Sequence, residues 1–201
     1  MRRRIVVVAF LLVLLALGLY GWSIIRHGLS AHDEPSAFEA FAARAARSLA
    51  LPASYKSLKN PYPPTPENLR EGLEHFADHC AVCHANDGSG QTEFGRNMYP
   101  KPPDMRRAET QSRTDGEIYY TIEHGIRLSG MPAFGEKNRT DDESTWKLVL
   151  FIRHLTRQTP DELKKMERLN PKSLADRAEE EAEERFLRGE NPPDAPKKHK
   201  H

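Results

Sequence analysis

"HFADHCAVCHANDGSG", residues 75–90, holds both cysteines of a 201-residue chain, Cys80 and Cys83, with His84 directly behind them. Two thiols cannot staple a scaffold of several disulfides, so the fold has to come from a hydrophobic core. Immediately upstream, Leu69, Gly72, Leu73, Phe76 and Cys80 fall on one helical stripe, while Arg70, Glu71, Glu74 and Asp78 face away. Thr65-Pro66 supplies the start of that helix. The cysteines therefore sit where an amphipathic helix ends.

Outward from this stretch, further helices announce themselves by their starts. Thr114-Asp115-Gly116-Glu117 and Thr140-Asp141-Asp142-Glu143 both read as capping boxes. The first opens a helix near 115–124 that ends at Gly125, a residue suited to the left-handed position past a helix end. The second opens "DDESTWKLVLFIRHL" (141–155), which carries two apolar stripes, Trp146, Val149 and Leu150 on one and Leu148, Phe151, Ile152 and Leu155 on the other. A helix apolar on two sides is covered on two sides. No stretch alternates as a strand does, so the predicted class is all-α.

The compact domain is expected over 66–157. Before it, "PSAFEAFAARAARSLA" (35–50) predicts a short helix with Phe38, Phe41, Ala42, Ala45 and Leu49 along one side, read as a spacer packed on the domain or as a membrane-surface helix. "KNPYPPTP" (59–66) then predicts a stiff linker, so that 27–65 is a spacer helix and Pro-rich linker. After the domain, 158–190 is expected as a charged helical extension with a possible docking role, and 191–201 as a disordered tail.

"MRRR" precedes "IVVVAFLLVLLALGLYGWSII", a run without a charged side chain between Arg4 and Arg26. As a helix that run is about 32 Å long, enough to cross the hydrocarbon core of a bilayer. Arg2, Arg3 and Arg4 favour a cytoplasmic N-terminus, which predicts a single-pass anchor over 1–26 with the rest of the chain outside. A cleaved signal peptide is the rival, with Leu29-Ser30-Ala31 a poor cleavage site. Either way the domain faces an oxidising compartment. A net charge of +1 gives no argument for nucleic-acid binding.

Three chemistries use "CAVCH". A structural zinc site needs four ligands; the chain has no second cysteine pair, and His75 and His79 lie on the preceding helix as partly exposed side chains. A thioredoxin-like dithiol needs a strand–helix context that is absent. Covalent haem attachment has C-x-x-C-H as its signature: each thiol adds across a porphyrin vinyl group, and the adjacent histidine gives Nε2 to the iron. One haem c, bound through Cys80 and Cys83 with His84 as axial ligand, is the expectation.

Iron then wants a sixth ligand, and "GIRLSGMPAFG" (125–135) offers Met131, a soft, neutral thioether in a Gly-Met-Pro setting. The 47 residues from His84 to Met131 are enough to carry the chain round to the opposite face. Reach alone does not exclude Met98 or Met105; the flanking Gly130 and Pro132 favour Met131. Packing is the alternative role for each.

Residues 66–157 resemble a class I c-type cytochrome domain of the periplasmic, single-haem kind found in bacterial respiratory chains. Gly72 and Phe76, eight and four residues before Cys80, match that family's Gly-x-x-x-aromatic pattern, "CAVCH" its attachment site and "GIRLSGMPAFG" its distal-ligand loop. "GRNMYPKPPDM" (95–105) is similar to the segment running along the haem between them. The resemblance implies that Gly72 lets the last helix cross closely, and that a backbone carbonyl within Pro100–Pro103 holds the His84 Nδ1–H. Tyr99, Trp146 and Phe151 are expected as pocket wall or as ordinary core, and Arg96 or Arg127 as propionate partners or plain surface charges. The implied role is one-electron transfer between membrane or periplasmic redox proteins, by a carrier or a cytochrome subunit of a respiratory oxidoreductase at the inner membrane. The other reading is a haem enzyme or small-ligand sensor with an open or displaceable sixth position.

Overall fold

The computed structural model describes residues 2–27, 30–136, 140–172 and 174–189. Among them there are helices and no strand. Helix α1 (Arg2–His27) is apolar all round and is the one described helix long and apolar enough to cross a membrane. Helix α2 (Ala37–Ala50) starts at Ser36, whose hydroxyl accepts from Glu39 N–H. Helix α3 (Pro66–His75) is capped by Thr65, as its sequence predicts. It runs on through a π-helical turn, Phe76–Cys80, into the turn Ala81–His84.

Helix α4 (Asp115–His124) has the full reciprocal capping box of Thr114 and Glu117 and ends at Gly125, φ 63°. Helix α5 (Glu143–His154) differs from expectation at its start. The cap is Asp142, which accepts from Thr145 N–H, not Thr140. The Thr140 carbonyl instead accepts from the Trp146 indole, 3.1 Å. Helices α6 (Pro160–Leu169) and α7 (Leu174–Leu187) follow, and the tail from 190 onward lies outside the described residues.

Helices α3 and α5 cross at the centre. A Cβ on Gly72 would stand 2.3 Å from the Lys147 carbonyl oxygen, so only glycine admits this approach. Phe76 and Phe151 meet at the crossing, ring centroids 5.2 Å apart, both fully buried. Trp146 stacks on Tyr119 of α4 at 4.2 Å. Both stripes of α5 are thereby covered, Lys147 included: its ammonium pairs with Glu71 at 2.5 Å and Glu143 at 2.6 Å. A buried amine needs such partners, because an unpaired charge there costs several kcal/mol.

The core is wider than 66–157. Leu51 and Tyr55 belong to it on the N-terminal side and Met166, fully buried, on the C-terminal side. Tyr55 lies edge-on to Tyr120, 4.8 Å, and its carbonyl comes so near Gly116 that a Cβ there would be 1.9 Å away. Asn60, inside the Pro-rich stretch, donates to the Trp146 carbonyl at 2.8 Å. The stretch before α3 is thus stitched onto the helices.

Candidate functional site

The attachment turn is built by the change of helical pitch. An α-helix advancing past Phe76 at 100° per residue would repeat the buried stripe of α3. The π turn inserts extra arc, after which Ala77 and Ala81 are buried while Cys80, Cys83 and His84 are partly accessible along the rim. Such turns recur at functional sites because they re-aim side chains without ending the helix. The helix stops at Ala85, whose φ of 61° turns the chain away.

The loop beyond closes around the turn's free carbonyls. Gly90 N–H donates to the His84 carbonyl at 2.8 Å, and the Thr92 hydroxyl to that of Cys83 at 3.3 Å. Gly95 packs against the same carbonyl, its hypothetical Cβ 2.6 Å from the Cys83 oxygen. Thr92, Gly90 and Gly95 were not singled out from the sequence. Their signal is the "GSGQTEFG" run itself, where small residues beside a helix end mark close backbone approach.

Burial sets the chemistry of the three motif side chains. It raises the Cys80 thiol to about 12 and also raises that of Cys83, so neither is a thiolate at neutral pH. Disulfide-exchange cysteines are tuned in the opposite direction. Burial also holds the His84 imidazole down to about 4, so the ring is neutral and has a lone pair to give. Its Nδ1 is buried without a hydrogen-bond partner. The expected carbonyl acceptor in Pro100–Pro103 is therefore not in bonding position, although the Pro102 carbonyl passes close over Gly90. Among the described residues, no three His, Cys, Asp or Glu side chains gather in a metal-holding cluster.

Met131 stands on a separate loop tied to the end of α4. Phe134 and Gly135 N–H donate to the Ile122 and Glu123 carbonyls, both at 3.1 Å, and Ile126 N–H to that of Met131. The Met131 side chain is half-buried and packs against the core. Met98 approaches the same loop: a Cβ on Gly130 would stand 1.9 Å from its terminal methyl. Met105 is buried in the core, its N–H donating to the Gly88 carbonyl at 2.8 Å. The fold thus brings Met98 and the Met131 loop together and gives Met105 a packing place.

The remaining expectations divide. Trp146 and Phe151 are interior residues at the α4–α5 and α3–α5 contacts. Tyr99 is half-buried and its hydroxyl donates to Glu39 of α2. Arg96 is exposed and donates to the Gln91 carbonyl at 3.3 Å, and Arg127 is exposed. Apolar side chains left in the open, Val82, Phe94, Leu128 and Phe134, lie on the very segments that carry the motif and the methionines. A neutral histidine with a lone pair, two un-ionised thiols on one turn and a fringe of uncovered apolar groups fit a large, flat, apolar macrocycle that carries a metal.

Residues 67–152, a little under half the chain, match the family described as cytochrome C oxidase, cbb3-type, subunit III. No curated protein matches the chain.

Proposed function

We propose that residues 67–152, a class I c-type cytochrome domain and hence the electron-transfer haem unit of this protein, hold one haem through Cys80 and Cys83, with His84 and Met131 as axial ligands. When bound, haem supplies a one-electron iron couple. The chain's part is to hold, shield and tune. Cys80 and Cys83 fix the group covalently on one turn, and the neutral His84 donates without first losing a proton. Met131, anchored through the α4 carbonyls, contributes a second ligand whose softness raises the potential. If His84 and Met131 both held the iron, no position would remain for a substrate, and the domain would pass electrons without bond chemistry of its own.

Helix α1 acts as a single membrane anchor, with the cytochrome domain on the periplasmic side. The protein serves as a membrane-bound carrier or as the cytochrome subunit of a respiratory oxidoreductase, a terminal oxidase being the partner class that the family match suggests. The observation that carries the ligand assignment is the neutral His84, its Nδ1 buried, on the two-cysteine turn.

The test is the protein purified from membranes. Its denatured mass should exceed that of the polypeptide by one haem, and its optical spectrum should be six-coordinate and low-spin. Met131→Ala should lower the potential and admit carbon monoxide, while Met98→Ala should leave both unchanged. The reverse pattern would transfer the ligand role to Met98. Rapid carbon monoxide binding to the unaltered ferrous protein would favour the enzyme or sensor reading.

A further inference from the structure

Helix α2 is turned the wrong way for a helix that packs on its own domain. Phe38, Phe41 and Leu49 are 70%, 63% and 86% exposed, and with Ala42 and Ala45 they form one unbroken stripe. None of the residues of α2 is buried. Glu39 and Arg47 lie on another row, centred more than a third of a turn away at 100° per residue, and Glu39 of this row meets the domain. Glu39 accepts from the Tyr99 hydroxyl, and just before the helix Glu34 pairs with Lys101. The domain holds α2 by its polar side and leaves the apolar side facing out.

What covers that side follows from chain continuity. Nine residues, 28–36, separate the end of α1 from the start of α2. Fully extended they span at most about 30 Å, so α2 cannot leave the neighbourhood of the bilayer into which α1 runs. Two phenylalanines and a leucine on one side, with Arg44, Arg47 and Glu39 off that side, make the pattern of a helix lying in the headgroup region, its apolar side sunk about 5–10 Å.

We propose that α2 lies flat in the membrane–water interface, its Phe38–Phe41–Ala42–Ala45–Leu49 stripe in lipid and its Glu39–Arg47 row carrying the cytochrome domain. This rests on α1 being a membrane span, and it adds an orientation to that anchor. The Tyr99–Pro100–Lys101 stretch is the part of the domain held nearest to the lipid, and the domain stands in one attitude on the surface.

The experiment uses the full-length haem protein in lipid vesicles, with single cysteines carrying a nitroxide label at Ala42, Ala45 and Ala43 and, as the anchor control, at Leu12. Oxygen, which concentrates in lipid, and a water-soluble nickel chelate compete to relax each label. At Ala42 and Ala45 the oxygen-to-nickel ratio should exceed that at Ala43 several-fold, with Leu12 highest of all. A lipid-exposed Leu12 with water-exposed Ala42 and Ala45 overturns the proposal and leaves the anchor standing. Labels at Ala42 and Ala45 shielded from both reagents place a second protein surface on the stripe and also overturn it. A water-exposed Leu12 removes the anchor itself, and the proposal with it.

Discussion

Asp104 shows how much of the site's frame rests on single polar residues. It accepts from the Arg106 side chain at 2.8 and 2.9 Å and from Arg107 at 3.3 Å, and Arg106 reaches on to Asp87 in the loop just past His84. One aspartate thus ties the proline-rich segment to the attachment loop. The Arg106 hydrogen bonds hold its carboxyl down at about 2, against an ordinary 3.8. A depressed carboxylate stabilises the fold above its unfolded value, and that contribution is lost as pH falls through the folded one. Asp104→Asn should therefore lower stability at neutral pH and flatten the acid limb between 3.8 and about 2, read from urea midpoints at a series of pH values. An unchanged acid limb would mean that the arginines solvate the carboxylate no better than water does. At this scale "CAVCH" is legible from spacing alone. The hydrogen-bond state of His84 Nδ1 is not, because it depends on how a loop sixteen or more residues away is placed.

Between elements, the α3–α5 crossing is the contact with least tolerance. Gly72→Ala sets a methyl 2.3 Å from the Lys147 carbonyl, which belongs to a helix backbone and cannot rotate aside. Overpacking of this kind costs about 1–3 kcal/mol, so the variant's melting temperature should fall by several degrees while the haem spectrum of the folded fraction stays normal. Helix α6 is a second test. Met166 is fully buried and Gln158 donates to the Asn86 carbonyl at 3.0 Å, so truncation after residue 157 would open the core. Ending the chain after residue 172 should leave thermal stability within about 1 kcal/mol of the full chain, whereas ending it after 157 should cost about 2–5 kcal/mol, measured by urea unfolding. Helix starts are readable from sequence because caps are local: Thr65 and Thr114 both cap as their sequences suggest. Thr140 does not, since the Trp146 indole claims its carbonyl and Asp142 is left to cap α5. Tertiary contacts of that sort leave no trace in a four-residue pattern.

Taken as a whole molecule, the chain is a cytochrome c domain with the segment ahead of α3 packed onto its core. The sequence suggests a spacer helix and Pro-rich linker over 27–65, stiffest at 59–66, yet Leu51, Tyr55, Leu58 and Tyr62 pack on the core. The four recur at a helix-like spacing that the intervening prolines and lysines obscure. The free length between α1 and the folded body is accordingly short, and tethering of this kind acts as a local concentration in the millimolar range. Deleting residues 1–30 should release a folded, spectrally unaltered protein into the soluble fraction. Its electron exchange with membrane-bound partners at micromolar protein should slow by about 10²-fold, with exchange to a small soluble reductant unchanged. Equal rates would mean that docking strength, not tethering, governs the encounter. The seating of the Tyr55 carbonyl under Gly116 has a mechanical side. A load that passes the Glu34–Lys101 and Glu39–Tyr99 contacts and reaches Tyr55 is handed at this seat to α4, the helix whose last carbonyls hang the Met131 loop. The position of the Met131 loop is thereby coupled to how the segment ahead of α3 is seated.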